Sequence, residues 1–443
     1  MTRRDLGRMA LGAWLNTGSP RRTASASTPG AAGVARWRAD FPALEQTVNG
    51  EPLAYLDSAA TTQRPASVLA ALEHYYRHDN ANPGQSLHAL AQRAYERYEA
   101  ARRTLAGFIR APDPEEVVWV RGTTEGINLV AAAWARPRLR PGDEVLVTVA
   151  EHASNLLPWR LVVQQSGATV RYVDVDNDGR VRMDDLERQL STRTRLFCFS
   201  HVSNVVGFVN PAAELCARAR SAGARVLIDA AQSAPHIPID VQTLGCDFLV
   251  FSSHKMLGPM GTGVLWARRE RLEEMEPYQA GSNMAHHVDL GSQDFEHAAR
   301  RFGAGTPNVS GAIALAAAVE YLSNQDRGSI ERHETALAHY GLDQLSQVTG
   351  LRLLGPRSAA QRVPVFSFVL PGHSSAEILR HLDSRGIAIR AGDLAALPLL
   401  KRLGVSEAAR ASCYLYTETS EVDRLVSALH ELTHIATPME ETR

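Results

Sequence analysis

Lysine is nearly absent from this chain. Of the 47 lysine and arginine residues in 443, only Lys255 and Lys401 are lysine. Cysteine is almost as scarce: Cys198, Cys216, Cys246 and Cys413 show no Cys-x-x-Cys spacing, which excludes a disulfide framework and points to a reduced compartment. Neither charge sign dominates. A formal net charge of −1 argues against a nucleic-acid footprint or a polybasic membrane surface. No apolar run approaches the roughly 18 residues of a membrane span. What is present is ordinary for a globular protein, with 44% apolar and 21% charged residues, enough to bury a large domain and a smaller one.

The scarcity of lysine makes Lys255 conspicuous, in Phe251-Ser252-Ser253-His254-Lys255. Arginine supplies the same charge but stays protonated and forms no imine with an aldehyde. A lone lysine after a buried-looking strand suggests covalent amine chemistry, for which pyridoxal phosphate (PLP) is the usual partner. Lys401, in a polar helical stretch, reads as a surface residue.

The chain divides into three parts. Residues 1–36 are rich in Ser, Thr, Ala, Gly and Arg without periodicity and read as a disordered leader. An alternative is a twin-arginine export signal: Thr2-Arg3-Arg4-Asp5-Leu6-Gly7-Arg8, a short apolar region over 9–15 and Ala24-Ser25-Ala26 as a cleavage-like site. The expected location is cytoplasmic, or periplasmic if that signal operates. Over 37–327, short apolar runs alternate with helical patterns, which predicts an α/β domain with a mostly parallel sheet. Its strands are expected at 117–121, 144–149, 170–175, 196–200, 225–229, 248–252 and 263–267, with helices such as 125–135, 154–165 and 211–222. From 328 to 443 a smaller α+β domain is expected, with strands at 365–370, 387–390 and 411–416 and helices at 374–385 and 420–435.

Four strand ends carry complementary chemistry. Arg121-Gly122-Thr123-Thr124-Glu125-Gly126 follows a strand and opens a helix, where free N–H groups and the helix dipole suit a phosphate, with a threonine hydroxyl as a further donor. A capped helix start has the same residues. Asp229, in Val226-Leu227-Ile228-Asp229, reaches the carboxyl edge of the sheet, where open α/β sheets bind ligands. A carboxylate there can keep a pyridine nitrogen protonated, although an aspartate at a strand end is also a common helix cap. Gln232 follows three residues later, within reach of the ring's phenolic oxygen. Ser252 and His254 can donate to phosphate beside Lys255, and His152, after another strand, can stack on a ring. Together they specify a PLP site.

Longer motifs extend this reading: Tyr55-Leu56-Asp57-Ser58-Ala59-Ala60-Thr61-Thr62-Gln63, Val120-Arg121-Gly122-Thr123-Thr124-Glu125-Gly126-Ile127-Asn128, His201-Val202-Ser203-Asn204, the Lys255 segment and Gly303-Ala304-Gly305-Thr306-Pro307-Asn308. In this order the chain resembles the class V aminotransferase superfamily, and within it the cysteine desulfurase group of the SufS and CsdA type, from about residue 37 to 436. The resemblance implies a PLP-dependent transferase of fold type I. It makes Lys255 the imine-forming lysine, Asp229 the partner of the pyridine nitrogen and His152 the stacking residue. Thr123, Thr124, Ser252 and His254 would hold phosphate, joined by Thr306 from a second subunit of a homodimer. Asn204 and Gln232 would contact the ring or the substrate adduct, and Arg410 would clamp the carboxylate of an amino acid substrate. No metal is implied.

The resemblance breaks at one loop. In the SufS-type group a loop reading roughly Arg-x-Gly-His-His-Cys-Ala-x-Pro carries the thiolate that accepts sulfur. This chain reads Arg390-Ala391-Gly392-Asp393-Leu394-Ala395-Ala396-Leu397-Pro398, so Ala395 stands in the nucleophile's place and both histidines are gone. Cys413, three residues after Arg410, reads as a packed core residue. Another departure is Pro83-Gly84-Gln85-Ser86, where the group has Val-His-Arg-Gly beside the expected substrate pocket. The expectation is therefore a C–S β-lyase acting on cysteine or a cysteine S-conjugate without a persulfide cysteine. The alternatives are an aminotransferase or epimerase of another amino acid, a desulfurase using another thiol, and a PLP-binding paralogue without turnover.

Three motifs are declined. His430-Glu431-Leu432-Thr433-His434 matches the zinc-protease pattern but lies on the last helix without a third ligand. Asp174-x-Asp176-x-Asp178-Gly179 resembles the start of a calcium loop but follows a strand. The stretch 258–263 reads as a turn before a strand.

Overall fold

The computed structural model describes residues 31–84 and 88–435. The leader motifs of residues 1–26, together with Gln85 and Ser86, lie outside the described residues. The expected disordered stretch ends earlier than residue 36, because Ala31–Arg38 is a helix whose Val34 and Trp37 are buried.

Seven strands form the central sheet: β1 (Val117–Val120), β2 (Glu144–Thr148), β3 (Thr169–Val173), β4 (Thr194–Ser200), β5 (Arg225–Asp229), β6 (Phe248–Ser252) and β7 (Gly263–Ala267). Their order is β1-β7-β6-β5-β4-β2-β3. β2 to β6 pair in parallel, and β7 runs antiparallel to both β6 and β1. The inner strands are near-continuous apolar runs because helices cover both faces. Every residue of β2, β6 and β7 is buried. β3, at the edge, buries only its last residue.

Register sets the site. Ser200 pairs with Asp229, Asp229 with Val250 and Ser252 with Gly263, so the polar ends of β4, β5 and β6 arrive at one edge. The helix Thr123–Leu129 starts against this edge and packs tightly on it: a Cβ on Gly126 would lie 2.9 Å from Val250 Cγ1. A Cβ on Gly263 would meet both the Gly122 backbone and the Phe251 carbonyl at 2.7 Å, so only glycine lets β7 pass the phosphate-type turn. The helices Ala66–His74, Ala89–Phe108 and Val309–Ser323 pack together on the large domain.

The C-terminal part is a four-stranded antiparallel sheet of β8 (Arg352–Leu353), β9 (Val365–Val369), β10 (Arg390–Gly392) and β11 (Ala408–Ser412), in the order β8-β9-β11-β10. Helices Arg327–Ser346, Ser375–Asp383 and Thr419–Ile435 pack with it. Ser374 and Glu377 form a capping box at the start of the second.

Two expectations need correcting here. The last strand lies at Ala408–Ser412 rather than 411–416. It stops where the Leu56 carbonyl takes the Ser412 N–H and Tyr414–Thr417 closes a turn. The N-terminal arm does not belong wholly to the large domain either. Ala54–Tyr55 pairs in parallel with Ile387–Ala388, and Ala54 and Leu56 are buried in the C-terminal core.

Among the described residues, no helix is long and apolar enough to cross a membrane. The declined motifs have local uses. Glu431 pairs with Arg385 at 2.8 Å, and Asp176 Oδ1 accepts from Asp178 N and Arg180 N at 2.9 Å each. Among the described residues, no three His, Cys, Asp or Glu side chains converge as a metal site.

Candidate active site

A cavity of about 460 Å³ opens at the carboxyl edge of the sheet. It gathers Thr123 and Thr124, His152, Asn204, Asp229 and Gln232, Ser252, His254 and Lys255 from the large domain, and Arg410 from the C-terminal sheet. Thus every site residue expected from sequence lines it, with one exception. Thr306 lies exposed in the segment before helix Val309–Ser323 and does not line its own chain's cavity. Its neighbour Asn308 caps that helix by accepting from Gly311 N at 3.0 Å.

Lys255 sits in a 3-10 turn, Ser253–Lys255, directly after β6. Burial pulls its pKa down to about 8; Asp229 and Asp57 oppose the shift, and Arg410 and Arg390 add to it. Roughly a tenth of the amine is then unprotonated at pH 7, far more than at the ordinary lysine value, and both imine formation and proton abstraction require that form. Asp229 ends β5, and its Oδ1 accepts from Ala231 N at 2.9 Å. Burial raises its pKa, against that hydrogen bond and the charge of Lys255. A cationic ring nitrogen beside it would offset that burial cost.

His152 follows β2. Its Nδ1 accepts from Ser154 N at 3.1 Å, so the ring proton of the neutral form is on Nε2. Burial, with the charges of Lys255 and Arg410, lowers its pKa to about 4, and Asp393 acts the other way. Beneath it Glu151 is buried. Its two oxygens accept from Thr148 Oγ1, Ser200 N, Ser200 Oγ and Asn155 Nδ2 at 2.5–3.0 Å. That carboxylate ties the ends of β2 and β4 together under the His152 turn, and burial raises its pKa to about 7.

At the phosphate end, Ser252 Oγ lies 2.8 Å from both Thr123 N and Thr123 Oγ1, and Thr124 Oγ1 lies 2.8 Å from Ser154 Oγ. His254 Nδ1 is buried with no partner, and burial lowers its pKa to about 4. A buried orphan nitrogen, a lysine, a strand-end carboxylate and a helix N-terminus fit the aldehyde, phosphate and pyridine groups of PLP. When bound, PLP supplies an aldehyde to Lys255 and an electron sink for bonds at the α-carbon of an amino acid.

Asp57, Arg390, Ser154 and Ser200 also shape the site, although no sequence motif assigns them a role there. Asp57 is 8% exposed and joins two guanidiniums, Arg410 at 3.3 Å and Arg390 at 2.9 Å. Arg410 also donates to the Asn204 carbonyl at 3.0 Å, and its Nε has no partner. Asp57 was visible inside the Tyr55 motif, but its pairing spans 353 residues and leaves no local signal. Ser154 could have been found two residues after His152.

The 393–396 loop forms the remaining wall, with Arg390, Asp393, Leu394 and Ala395 lining the cavity. Leu394 and Ala395 both have φ of 52°. Leu394 is buried among Val206, Phe208 and Leu399, its carbonyl accepts from Asn204 Nδ2 at 3.0 Å, and the Ala395 carbonyl accepts from Ala153 N at 2.7 Å. Cys413 packs in the C-terminal core and does not line the cavity. Pro83 and Gly84, of the 83–86 segment, do not line this chain's own cavity. Pro83 and Gly84 line a neighbouring cavity with Tyr95, Trp119 and Arg300.

Fold and site together define a PLP-dependent enzyme of fold type I. The chain belongs to the class V aminotransferase family, whose model (aminotransferase class-V) matches residues 54–425. It is 44% identical over 391 residues to a probable cysteine desulfurase of Halalkalibacterium halodurans, covering 88% of this chain and 96% of that protein. A cysteine desulfurase of Pectobacterium atrosepticum is 43% identical over 400 residues, 90% of this chain and 98% of its own. The crystal structure of the cysteine desulfurase CsdA of Escherichia coli matches with a TM-score of 0.84 and 40% identity, covering 91% of this chain and 99% of that one.

Proposed function

We propose that the protein is a C–S β-lyase acting on cysteine or a cysteine S-conjugate, without a persulfide-carrying cysteine. One observation carries this reading: among the described residues, no thiol lines the cavity. Ala395 offers a methyl group where the desulfurase-like loop would present its nucleophile, and all four cysteines are free and buried. Elimination needs no protein thiol. The Cα–H and Cβ–S bonds break, sulfur leaves with its electron pair and takes a proton, and one water converts the carbon fragment to pyruvate and ammonia.

The chain's own residues divide the work. Arg410 would orient the substrate carboxylate, Lys255 would take the α-proton, and Asp229 would keep the ring nitrogen of bound PLP protonated. His152, with its proton on Nε2, would cover the ring, and Gln232 and Asn204 would position ring and substrate. Thr123, Thr124, Ser252 and His254 hold phosphate, with Thr306 from a second copy. The exposed position of Thr306 supports a homodimer, as does the hairpin Ala285–Asp289/Ser292–Phe295 with its exposed Val288 and Leu290. Buried free thiols favour the cytoplasm.

The test is a product assay on the PLP-loaded protein given cysteine, S-substituted cysteines and other amino acids. Pyruvate with released thiol or sulfide supports the lyase. Alanine with protein-bound persulfide would establish a desulfurase. Amine transfer to a keto acid would favour an aminotransferase, and no change of the cofactor's visible band with any amino acid would favour a paralogue without turnover.

A further inference from the structure

The wall that replaces the expected nucleophile loop carries a carboxylate. Asp393 lines the cavity on the side of His152, near enough for its charge to act on that ring. Among the described residues it forms no ion pair within 4.0 Å, unlike Asp57, which is spent on Arg390 and Arg410. One oxygen, Oδ1, accepts from Ala395 N at 3.0 Å. The loop backbone is held by hydrogen bonds from Asn204 and Ala153 and by the docked Leu394. The carboxylate is therefore presented, solvent-exposed, from a braced wall on the side of His152.

Its charge is informative. The α-carboxylate end of the pocket is cationic, with Arg410 and Arg390. A fixed anion on the wall disfavours a substrate whose sulfur substituent is itself anionic, and it repels a departing bare thiolate. It favours a substituent ending in a cation. We propose that Asp393 is a specificity-determining residue that selects S-substituted cysteines bearing an ammonium group at the far end of the substituent. The inference rests on the C–S lyase reading for the reaction but concerns binding, so the two can fail separately.

The test uses two ligands of equal length, S-(2-aminoethyl)-L-cysteine and S-propyl-L-cysteine, which differ in an ammonium against a methyl. Each is titrated into the PLP-loaded protein at neutral pH and low salt. Affinity is read from the shift of the cofactor's visible band, and pyruvate release is measured separately. An ion pair in a partly open cavity is worth about a fivefold preference for the aminoethyl ligand. The Asp393→Asn variant is expected to lose that preference while binding the propyl ligand as the wild type does. High salt should shrink the wild-type preference. Equal binding of the two ligands by the wild type, a preference that survives in Asp393→Asn, or no shift with either ligand would overturn the proposal. A preference that behaves as expected but yields no pyruvate leaves the specificity role standing and removes the lyase reading.

Discussion

Replacing Arg410 with methionine should separate substrate recognition from stability. Arg410 is 3% exposed; it donates to Asn204 O at 3.0 Å, contacts Asp57 at 3.3 Å and leaves Nε without a partner. Desolvating a guanidinium costs several kcal/mol, and replacing a buried ion pair with apolar side chains is often close to neutral. An unsatisfied buried donor adds about 1–3 kcal/mol of cost. Asp57 is not orphaned by the change, because Arg390 stays 2.9 Å away. The lost hydrogen bond to Asn204 O costs about 1 kcal/mol, so the unfolding free energy should move by no more than about 1–2 kcal/mol. Substrate binding responds differently. Losing one partner of a desolvated carboxylate–guanidinium contact costs about 3 kcal/mol, or about 100-fold in affinity. The assay titrates the cofactor's visible band with an S-alkyl cysteine and, in parallel, with the matching amine that lacks the carboxylate. Only the amino acid should weaken about 100-fold. An equal loss for both ligands, or a stability loss of several kcal/mol, would refute the reasoning.

Three further outcomes follow from the same geometry. Asp57→Asn leaves two guanidiniums facing a neutral amide, one of them buried, and should destabilise the protein by about 3 kcal/mol in denaturant unfolding; a change below 1 kcal/mol would show that Arg410 has other support. Lys255 gives up its proton from about pH 8 in the folded cofactor-free protein but only near the ordinary value of 10.5 when unfolded. The unfolded chain binds more protons in that window, so stability should rise with pH from about 8 upward, and Lys255→Met should flatten the rise. Ala395→Cys should place a thiol in the cavity: the wild type, with four buried cysteines, should resist iodoacetamide under native conditions, while the variant should take one label that substrate blocks.

The site was legible because its chemistry is local. Thr123, His152 and Lys255 follow short apolar strands and Asp229 ends one, and pairing in register delivers such positions to one edge. What escaped is long-range. The pairing of Ala54–Tyr55 with Ile387–Ala388 and the Asp57–Arg410 contact join residues more than 330 apart, and no periodicity announces them. The apolar run Cys413–Tyr416 reads as a strand because it is buried, yet its residues pack as a turn, while Ala408–Ser412, small apart from Arg410, carries the ladder.

The central claim is that this class V pocket starts amino acid chemistry at Lys255 and finishes it without a protein thiol. The most direct measurement is the ratio of pyruvate to alanine formed from cysteine and its S-conjugates by the PLP-loaded protein, with protein-bound persulfide measured in the same samples. Pyruvate in equal amount to the released sulfur product, no protein persulfide, and no effect of Cys413→Ala is the expected result. Alanine accompanied by a persulfide on the protein, lost in Cys413→Ala, would contradict it.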